Sequence, residues 1–215
     1  IDSLQFRQLS SDFIDGLDST QIASLTSDQL SKMTSAQIGA LESDDLAELD
    51  SVDQLPGLSS SQIAYLTSTQ TAGLTGDQVA ALTTSQVKGL STSVLANLAS
   101  NQVAALTDDQ IQELTSKQLN SLDSTAVQYL DSAVIAGLTE KQLRSIDTDL
   151  LAGMTDSQVA SLTDTQIADL GSDQLNYIVK NRADVLTSDQ IAGLTAGQFA
   201  KLDAEEQLEW VRRVR

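Results

Sequence analysis

The sequence contains neither cysteine nor histidine among its 215 residues. Without cysteine the chain forms no disulfide bond. Without either residue it lacks the ligands of most structural zinc sites and the side chains of Cys–His nucleophilic catalysis. These two absences exclude thiol enzymes and the commonest classes of zinc protein. Any remaining chemistry has to use hydroxyl, carboxamide or carboxyl groups.

Aromatic residues make up only 3% of the chain, which indicates a narrow core of aliphatic side chains. No apolar run approaches the roughly 18 residues that a membrane-spanning helix needs, so the sequence argues against membrane insertion. Basic residues are also few, because 12 Lys and Arg stand against 30 Asp and Glu and give a formal net charge of −18. Binding of nucleic acid requires clustered basic side chains, and the composition therefore argues against a nucleic-acid partner.

The dominant feature of the sequence is an octapeptide repeat, Leu-Thr-x-x-Gln-(Ile/Val)-x-x, which is clearest at residues 82–89. We number its positions one to eight from the leucine. The repeat runs from Leu9 to Leu202, with Leu, Ile or Met at position one and mostly Thr, Ser or Asp at position two. Position five is most often Gln, position six is Ile, Val or Leu, and positions seven and eight favour Ala, Gly and Ser.

Each octad carries the signature of a helix start. With Thr83 as N-cap, Gln86 falls at the third helical position, and Thr-x-x-Gln is a capping box in which each side chain accepts from the other residue's backbone N–H. Leu82 and Val87 then occupy the two positions of a hydrophobic staple. The repeat therefore predicts a new helix in every octad.

A single long helix is excluded by the period of the repeat. At about 100° per residue, eight residues advance roughly 80° beyond two full turns, so the leucines would wind around the helix instead of forming one face. A coiled coil would need a period of about seven or eleven residues. We therefore predict an all-α solenoid, or superhelix, of very short capped helices, one per eight-residue repeat. A β-solenoid is the alternative, since short fixed periods also suit stacked strands.

The domain organisation follows from where the repeat is interrupted. We predict an octapeptide-repeat solenoid over residues 1–202 and a C-terminal capping helix over residues 203–215, which opens with the capping box Asp203-x-x-Glu206. The step from Leu49 to Leu58 is nine residues, and it contains Pro56, the only proline of the chain. An irregularity, such as a bend or a bulge, is therefore expected at residues 49–58. Since the chain begins at Ile1, we also expect it to be part of a longer protein.

An acidic cluster near this irregularity is the only candidate for a cation site in the sequence. The candidate ligands of Ca²⁺, which prefers carboxylate oxygens, are Asp44, Asp45, Asp50 and Asp53. No calcium-binding loop motif accompanies them, and acidic residues also occur in first helical turns because they favour the helix dipole. A solvated acidic face is therefore the competing interpretation. The sequence requires no cofactor.

The three tyrosines are candidates for a partner-binding surface. Tyr65, Tyr129 and Tyr177 all occupy position eight, and their separations are multiples of 16 residues. If two octads form one structural unit, these side chains would share a face that offers a partner amphipathic contacts. Ordinary surface packing explains the same pattern.

Four octads carry an apolar residue in place of the glutamine at position five. These residues are Val94, Ala126, Val134 and Leu150. They could widen the core, or they could form an exposed apolar stripe for self-association. The sequence leaves both interpretations open.

Octads such as Leu106-Thr107-Asp108-Asp109-Gln110-Ile111 resemble repeat tracts in large secreted or surface proteins of Gram-negative bacteria, including adhesin-like exoproteins. The resemblance covers nearly the whole chain and implies an extracellular, non-enzymatic stalk or display segment. The sequence itself shows no catalytic constellation. We therefore expect a spacer or scaffold in a larger secreted or cell-surface protein. The alternatives are a protein- or glycan-binding solenoid and, with less support, a hydrolase that uses acidic residues.

Overall fold

The computed structural model describes residues 1–214, and of residues 209, 213 and 214 it describes only the backbone. Over this range the chain forms helices joined by short extended links, and no residue in it belongs to a β-strand. The predicted all-α solenoid of short capped helices is therefore confirmed, and the β-solenoid alternative is wrong. No helix within the described range combines the length and the apolar character needed to cross a membrane.

The chain divides into two compact units, residues 1–121 and residues 122–215. The helices of the first unit are α1 (Ser3–Phe6), α2 (Ser11–Asp15), α3 (Ser19–Ala23), α4 (Ser27–Ser31), α5 (Ser35–Gly39), α6 (Ser43–Ala47), α7 (Gln54–Gly57), α8 (Ser60–Ile63), α9 (Ser68–Thr71), α10 (Gly76–Ala81), α11 (Thr84–Gly89), α12 (Thr92–Ala96), α13 (Ser100–Ala104), α14 (Asp108–Glu113) and α15 (Ser116–Leu119).

The second unit begins with a 3₁₀ helix (Val127–Tyr129). It continues with α16 (Ser132–Ala136), α17 (Glu140–Leu143), α18 (Thr148–Gly153), α19 (Asp156–Ser161), α20 (Asp164–Asp169), α21 (Ser172–Arg182), α22 (Ser188–Ala192), α23 (Ala196–Phe199) and α24 (Ala204–Val214). The predicted C-terminal helix corresponds to α24, and residue 215 lies outside the described residues. The predicted division at residues 202 and 203 stays a prediction.

The capping box starts these helices as the repeat predicts. At α11 the backbone N–H of Gln86 donates to Thr83 Oγ1 at 3.2 Å, and the backbone N–H of Thr83 donates to Gln86 Oε1 at 2.7 Å. The helix ends when the next leucine, Leu90, returns to extended backbone at φ −61° and ψ 138°. Leu82 and Val87 are both buried, as expected for a hydrophobic staple.

Two octads lack a side-chain acceptor at the cap and still begin a helix. Ala99 and Gly171 are the N-caps of α13 and α21, and their N–H groups donate to Gln102 Oε1 at 2.9 Å and to Gln174 Oε1 at 2.6 Å. These two octads therefore keep the hydrogen bond that the glutamine side chain accepts. They lack the hydrogen bond that a threonine side chain would accept. This asymmetry indicates that the glutamine has a role beyond capping its own helix.

The core of each unit consists of the apolar side chains at positions one and six. Ile63, Val87 and Ile111 at position six are at most 1% exposed in the first unit, and Ile135 and Val159 reach the same burial in the second. Helices three octads apart pack together, as α8, α11 and α14 do in the first unit and α16 and α19 do in the second. A single octad has no partner for its apolar residues, so this stacking gives each unit its core.

The irregularity at residues 49–58 lies between a helix cap and its glutamine. The N–H of Asp50 donates to Gln54 Oε1 at 2.6 Å, across four residues instead of the usual three. Asp50 Oδ1 closes the extra residue into a turn by accepting from the N–H groups of Val52 and Asp53. The following helix, α7, contains Pro56 and ends at Gly57. The insertion is thus absorbed locally, and the next octads resume the regular pattern.

Candidate functional site

The glutamine at position five links each helix to the chain that lies beneath it. In the octad of residues 82–89, Gln86 Oε1 accepts from its own N-cap, while Gln86 Nε2 donates to the carbonyls of Leu55 and Leu58 at 2.8 and 2.7 Å. Leu58 follows the last turn of α7, where backbone carbonyls have no partner within the helix. One buried side chain therefore caps the start of one helix and the end of another.

The same arrangement recurs through both units, and we call it the glutamine ladder. Each member donates from Nε2 to carbonyls 28–32 residues earlier. Its members in the first unit are Gln29, Gln37, Gln54, Gln62, Gln70, Gln78, Gln86, Gln102, Gln110 and Gln118, and its members in the second are Gln158, Gln166, Gln174, Gln190 and Gln198. In each unit the chain thus returns over itself after between three and four octads.

The chemistry of the carboxamide explains why this position is glutamine. A glutamine side chain offers one carbonyl acceptor and two N–H donors, which match one cap N–H and two backbone carbonyls. Glutamate would satisfy a capping box equally well but offers no donor when ionised. If the side chain at position five served only as an acceptor in the capping box, Gln and Glu would be equally suitable there. The near-uniform choice of Gln over Glu in this chain is the signal from which the ladder could have been found.

Arg182 performs the ladder's role in the octad that lacks both cap and glutamine. It occupies position five of residues 178–185, and its Nη2 donates to the carbonyl of Met154 at 2.9 Å, 28 residues earlier. Its Nη1 pairs with Asp156. Because no cap interrupts this octad, α21 runs on to Arg182 and reaches 11 residues. The guanidinium group of Arg182 supplies the hydrogen-bond donors that the glutamine Nε2 supplies in other octads. It offers no acceptor for the N–H of a cap residue, and no helix begins in this octad.

The apolar residues at position five belong to the core. Val94, Ala126, Val134 and Leu150 are all buried, with exposed fractions between 1% and 9%. Of the two interpretations, the structure thus favours a widened core over an exposed stripe for self-association. Each of these residues removes one member of the ladder and replaces its hydrogen bonds by apolar contact.

The candidate tyrosines lie in both units. Tyr65 is 56% exposed in the first unit, Tyr129 is 45% exposed in the second, and Tyr177 is half-buried on α21. In the second unit, Tyr129 and Tyr177 are separated by 48 residues, which is twice the three-octad spacing at which helices pack, and the 3₁₀ helix and α21 that carry them both contact α18. The stacking repeat is thus three octads, not the two octads of the premise, and it places these two tyrosines at equivalent positions. The role of the tyrosines in partner binding stays a prediction.

Two of the four candidate calcium ligands are engaged in backbone capping. Asp45 is 9% exposed and occupies the ladder position of its octad, where its Oδ2 accepts from the N–H of Glu42 at 2.8 Å. Asp50 accepts from two N–H groups of the turn described above, and Asp44 and Asp53 lie nearby in sequence. Within residues 1–214, no three acidic side chains are grouped closely enough to hold a metal ion. The contacts of Asp45 and Asp50 suit structural capping, and calcium binding stays a prediction without a ligand set.

The second unit has two grooves of similar volume and different lining. One, of about 470 Å³, is lined by polar groups that include Arg144, Asp147 and Asp173. Arg144 in this groove pairs with Glu140 at 2.7 Å and with Asp169 at 3.3 Å. The other, of about 450 Å³, lies between the last octads and α24, and we call it the end groove. Its lining is apolar and consists of Ile191, Ala192, Leu194, Ala196, Phe199, Trp210 and Val211.

Comparison with known families identifies the chain as a repeat protein. The family model of the ALTTAQ repeat matches it in three overlapping stretches, residues 38–76, 51–84 and 79–116. All three stretches lie in the first unit, where the glutamine ladder is nearly continuous. A search of curated proteins finds no match.

Proposed function

We propose that this chain is a non-enzymatic structural segment that acts as a spacer or scaffold in a larger secreted or cell-surface protein. The observation that carries the proposal is the glutamine ladder. The most regularly placed polar side chain of the repeat is buried and bonded to backbone, so it holds adjacent turns together and offers nothing to a ligand. Identical contacts in successive octads suit a segment whose length is set by the number of repeats.

The surface chemistry agrees with this role. The side chains at positions three and four are mostly Ser, Thr and Asp, and several of them lie in first helical turns, where acidic groups favour the helix dipole. Exposed ion pairs such as Lys88–Glu113, at 3.2 Å, bridge one turn to the next. Such pairs contribute little stability individually. The proposed extracellular and bacterial location rests on the resemblance of the octads to tracts of Gram-negative surface proteins.

Deleting one complete octad tests whether the repeat acts as an interchangeable structural module. Removal of residues 106–113 keeps every later glutamine in phase, because the carbonyls 28–32 residues earlier again belong to equivalent octad positions. We expect a helical circular dichroism spectrum and a cooperative melt close to that of the full chain. As a matched control, removal of only residues 106–110 shifts the two segments out of phase and should abolish the cooperative melt. If both deletions were equally damaging, the modular interpretation would be wrong.

A protein- or glycan-binding solenoid is the second candidate, and the exposure of Tyr65 and Tyr129 favours it. A glycan array probed with the full chain separates the two functions. The scaffold function predicts a signal at the level of buffer. If glycans do bind, replacing Tyr65, Tyr129 and Tyr177 together by Ser should abolish the signal and leave the melting temperature unchanged. Replacement of all three by Phe serves as the control, because it keeps the aromatic rings that would stack on a sugar.

A further inference from the structure

Each of the two units has its own set of ladder hydrogen bonds. The ladder members named above all donate to carbonyls of the unit to which they belong. In the first unit the last of them, Gln118, donates to the carbonyl of Leu90 at 2.8 Å. In the second unit the earliest of them, Gln158, donates to the carbonyl of Leu130 at 2.7 Å. The turns of each unit are therefore joined by bonds that begin and end within it.

Position five of the repeat changes in composition where the second unit begins. The first four octads of this unit, residues 122–153, carry Ala126, Val134, Gln142 and Leu150 there, so one octad in four has an amide. The carbonyls 28–32 residues before positions 126 and 134 belong to the first unit, and neither Ala nor Val has a donor for them. In the first unit, each position-five residue without an amide stands between two glutamines.

The opening octad of the second unit also lacks the usual helix start. Asp123 Oδ1 accepts from the N–H groups of Thr125 and Ala126 at 2.8 and 2.6 Å, which closes a turn. The 3₁₀ helix that follows has no side-chain hydrogen bond at its cap. Hydrogen bonds in a 3₁₀ helix have poorer geometry than those in an α-helix. This octad thus carries neither the capping box nor the ladder amide.

Local losses of this kind limit how far unfolding is cooperative. In a repeat protein the stability is a sum of terms for single repeats and for interfaces between neighbours, and cooperative unfolding extends as far as those interfaces are favourable. Long arrays divide into separate cooperative bodies where the interfaces are weak. The missing amides and the missing capping box are concentrated in the octads that open the second unit, which marks a division there.

We propose that the two units unfold independently of one another, and that a spacer made of this chain therefore lengthens in two steps under tension. Independent unfolding is a property of the chain itself, whereas lengthening under tension rests on the proposed spacer function. While one unit is open, the other keeps its ladder and its core. The segment thus gains length under load without losing its whole fold.

The single tryptophan of the chain allows one unit to be followed apart from the other. Trp210 is 4% exposed and lies in the second unit, so its fluorescence reports on that unit, while far-UV circular dichroism reports on the helices of both. Two glycines allow each unit to be destabilised in the same way. A Cβ atom on Gly73 would lie 1.9 Å from the backbone oxygen of Ser43 in the first unit, and one on Gly153 would lie 2.1 Å from that of Ser124 in the second.

Thermal melts of Gly73→Ala and Gly153→Ala, each followed by both signals, test independent unfolding. We expect Gly73→Ala to lower the melting midpoint of the first unit, seen by circular dichroism, by roughly 10 °C and to leave the fluorescence midpoint unchanged. Gly153→Ala should lower the fluorescence midpoint by a similar amount. If Gly73→Ala shifted both midpoints equally, the chain would unfold as one body and the inference would be overturned. A fluorescence midpoint that did not respond to Gly153→Ala would overturn it as well, because the second unit would then not unfold as a whole.

Stretching single molecules of the full chain from its two termini tests the lengthening in two steps. We expect two unfolding events, which release roughly 400 Å of chain for residues 1–121 and roughly 300 Å for residues 122–215. A single event, or a series of events of one octad each, would overturn it. Such a failure leaves the spacer function standing, since a spacer can also be rigid. Glycan binding on the array would contradict the spacer function and leave independent unfolding intact.

Discussion

Replacing Gln86 by glutamate should lower the free energy of unfolding by about 3–5 kcal/mol, because the change places an unpaired charge in a buried site. Gln86 is 2% exposed, and its Nε2 lies 2.7–2.8 Å from two backbone carbonyls. An ionised carboxylate would repel those carbonyls and deprive both of their side-chain donor, so that the carbonyl of Leu55 would keep only the backbone N–H of Leu58. The capping contact with Thr83 would survive, since it needs only an acceptor. Chemical denaturation of the two proteins at neutral pH measures the difference.

The matched control is Gln21→Glu, which should change the free energy of unfolding by less than about 0.5 kcal/mol, as is usual for exposed positions. Gln21 forms the same capping box with Asp18, but its side chain is exposed and its amide donates to no carbonyl within residues 1–214. The comparison therefore isolates the donor half of the glutamine. A similar small effect at Gln86 would mean that the ladder contributes nothing beyond capping.

Acid should partly rescue the Gln86→Glu variant. Burial beside carbonyls raises the pKa of the new carboxyl group in the folded state above its value of about 4.3 in the unfolded chain. The folded state then binds the proton more tightly than the unfolded state does. The loss in the free energy of unfolding relative to the parent chain is therefore complete above the folded-state pKa. It shrinks as the pH falls towards 4, where the protonated carboxyl group can donate to one carbonyl.

The sequence was sufficient to predict the local structure because each octad encodes its own helix start. Thr83, Gln86, Leu82 and Val87 play the roles that capping and staple rules assign to them. The all-α solenoid followed from the mismatch between an eight-residue period and the helical turn. These predictions depend only on residues within eight positions of one another, which is the range over which sequence patterns are most informative.

The contacts between turns could not be predicted in the same way. How many octads complete a turn depends on how side chains of distant octads fit together, and the repeat is identical at every candidate separation. For this reason the sequence could not show that Gln86 reaches Leu55, or that helices stack every three octads instead of every two. Arg182 was missed for a related reason, since it resembles an ordinary surface charge until Met154 is found beneath it.

Replacing Gly73 by alanine is expected to destabilise the first unit by about 3 kcal/mol, because the position has no space for a side chain. A Cβ atom on Gly73 would lie 1.9 Å from the backbone oxygen of Ser43 and 2.5 Å from its carbonyl carbon, 30 residues earlier. Both atoms belong to the main chain, so neither a rotamer change nor a flexible side chain can relieve the overlap. The two turns would have to separate, and the ladder contacts on either side of them would lengthen. Chemical denaturation again measures the effect.

Replacing Gly39 by alanine is the same chemical change, and we expect it to have the opposite effect on stability. Gly39 lies at the end of α5, a Cβ atom there would meet nothing within 4 Å, and its backbone is not left-handed. Alanine should therefore stabilise the chain by up to about 1 kcal/mol through its higher helix propensity and a less flexible unfolded state. Opposite signs at Gly73 and Gly39 would show that glycine is needed where one turn rests on the backbone of another. Equal signs would mean that adjacent turns are not packed at the separation that the glutamine ladder requires.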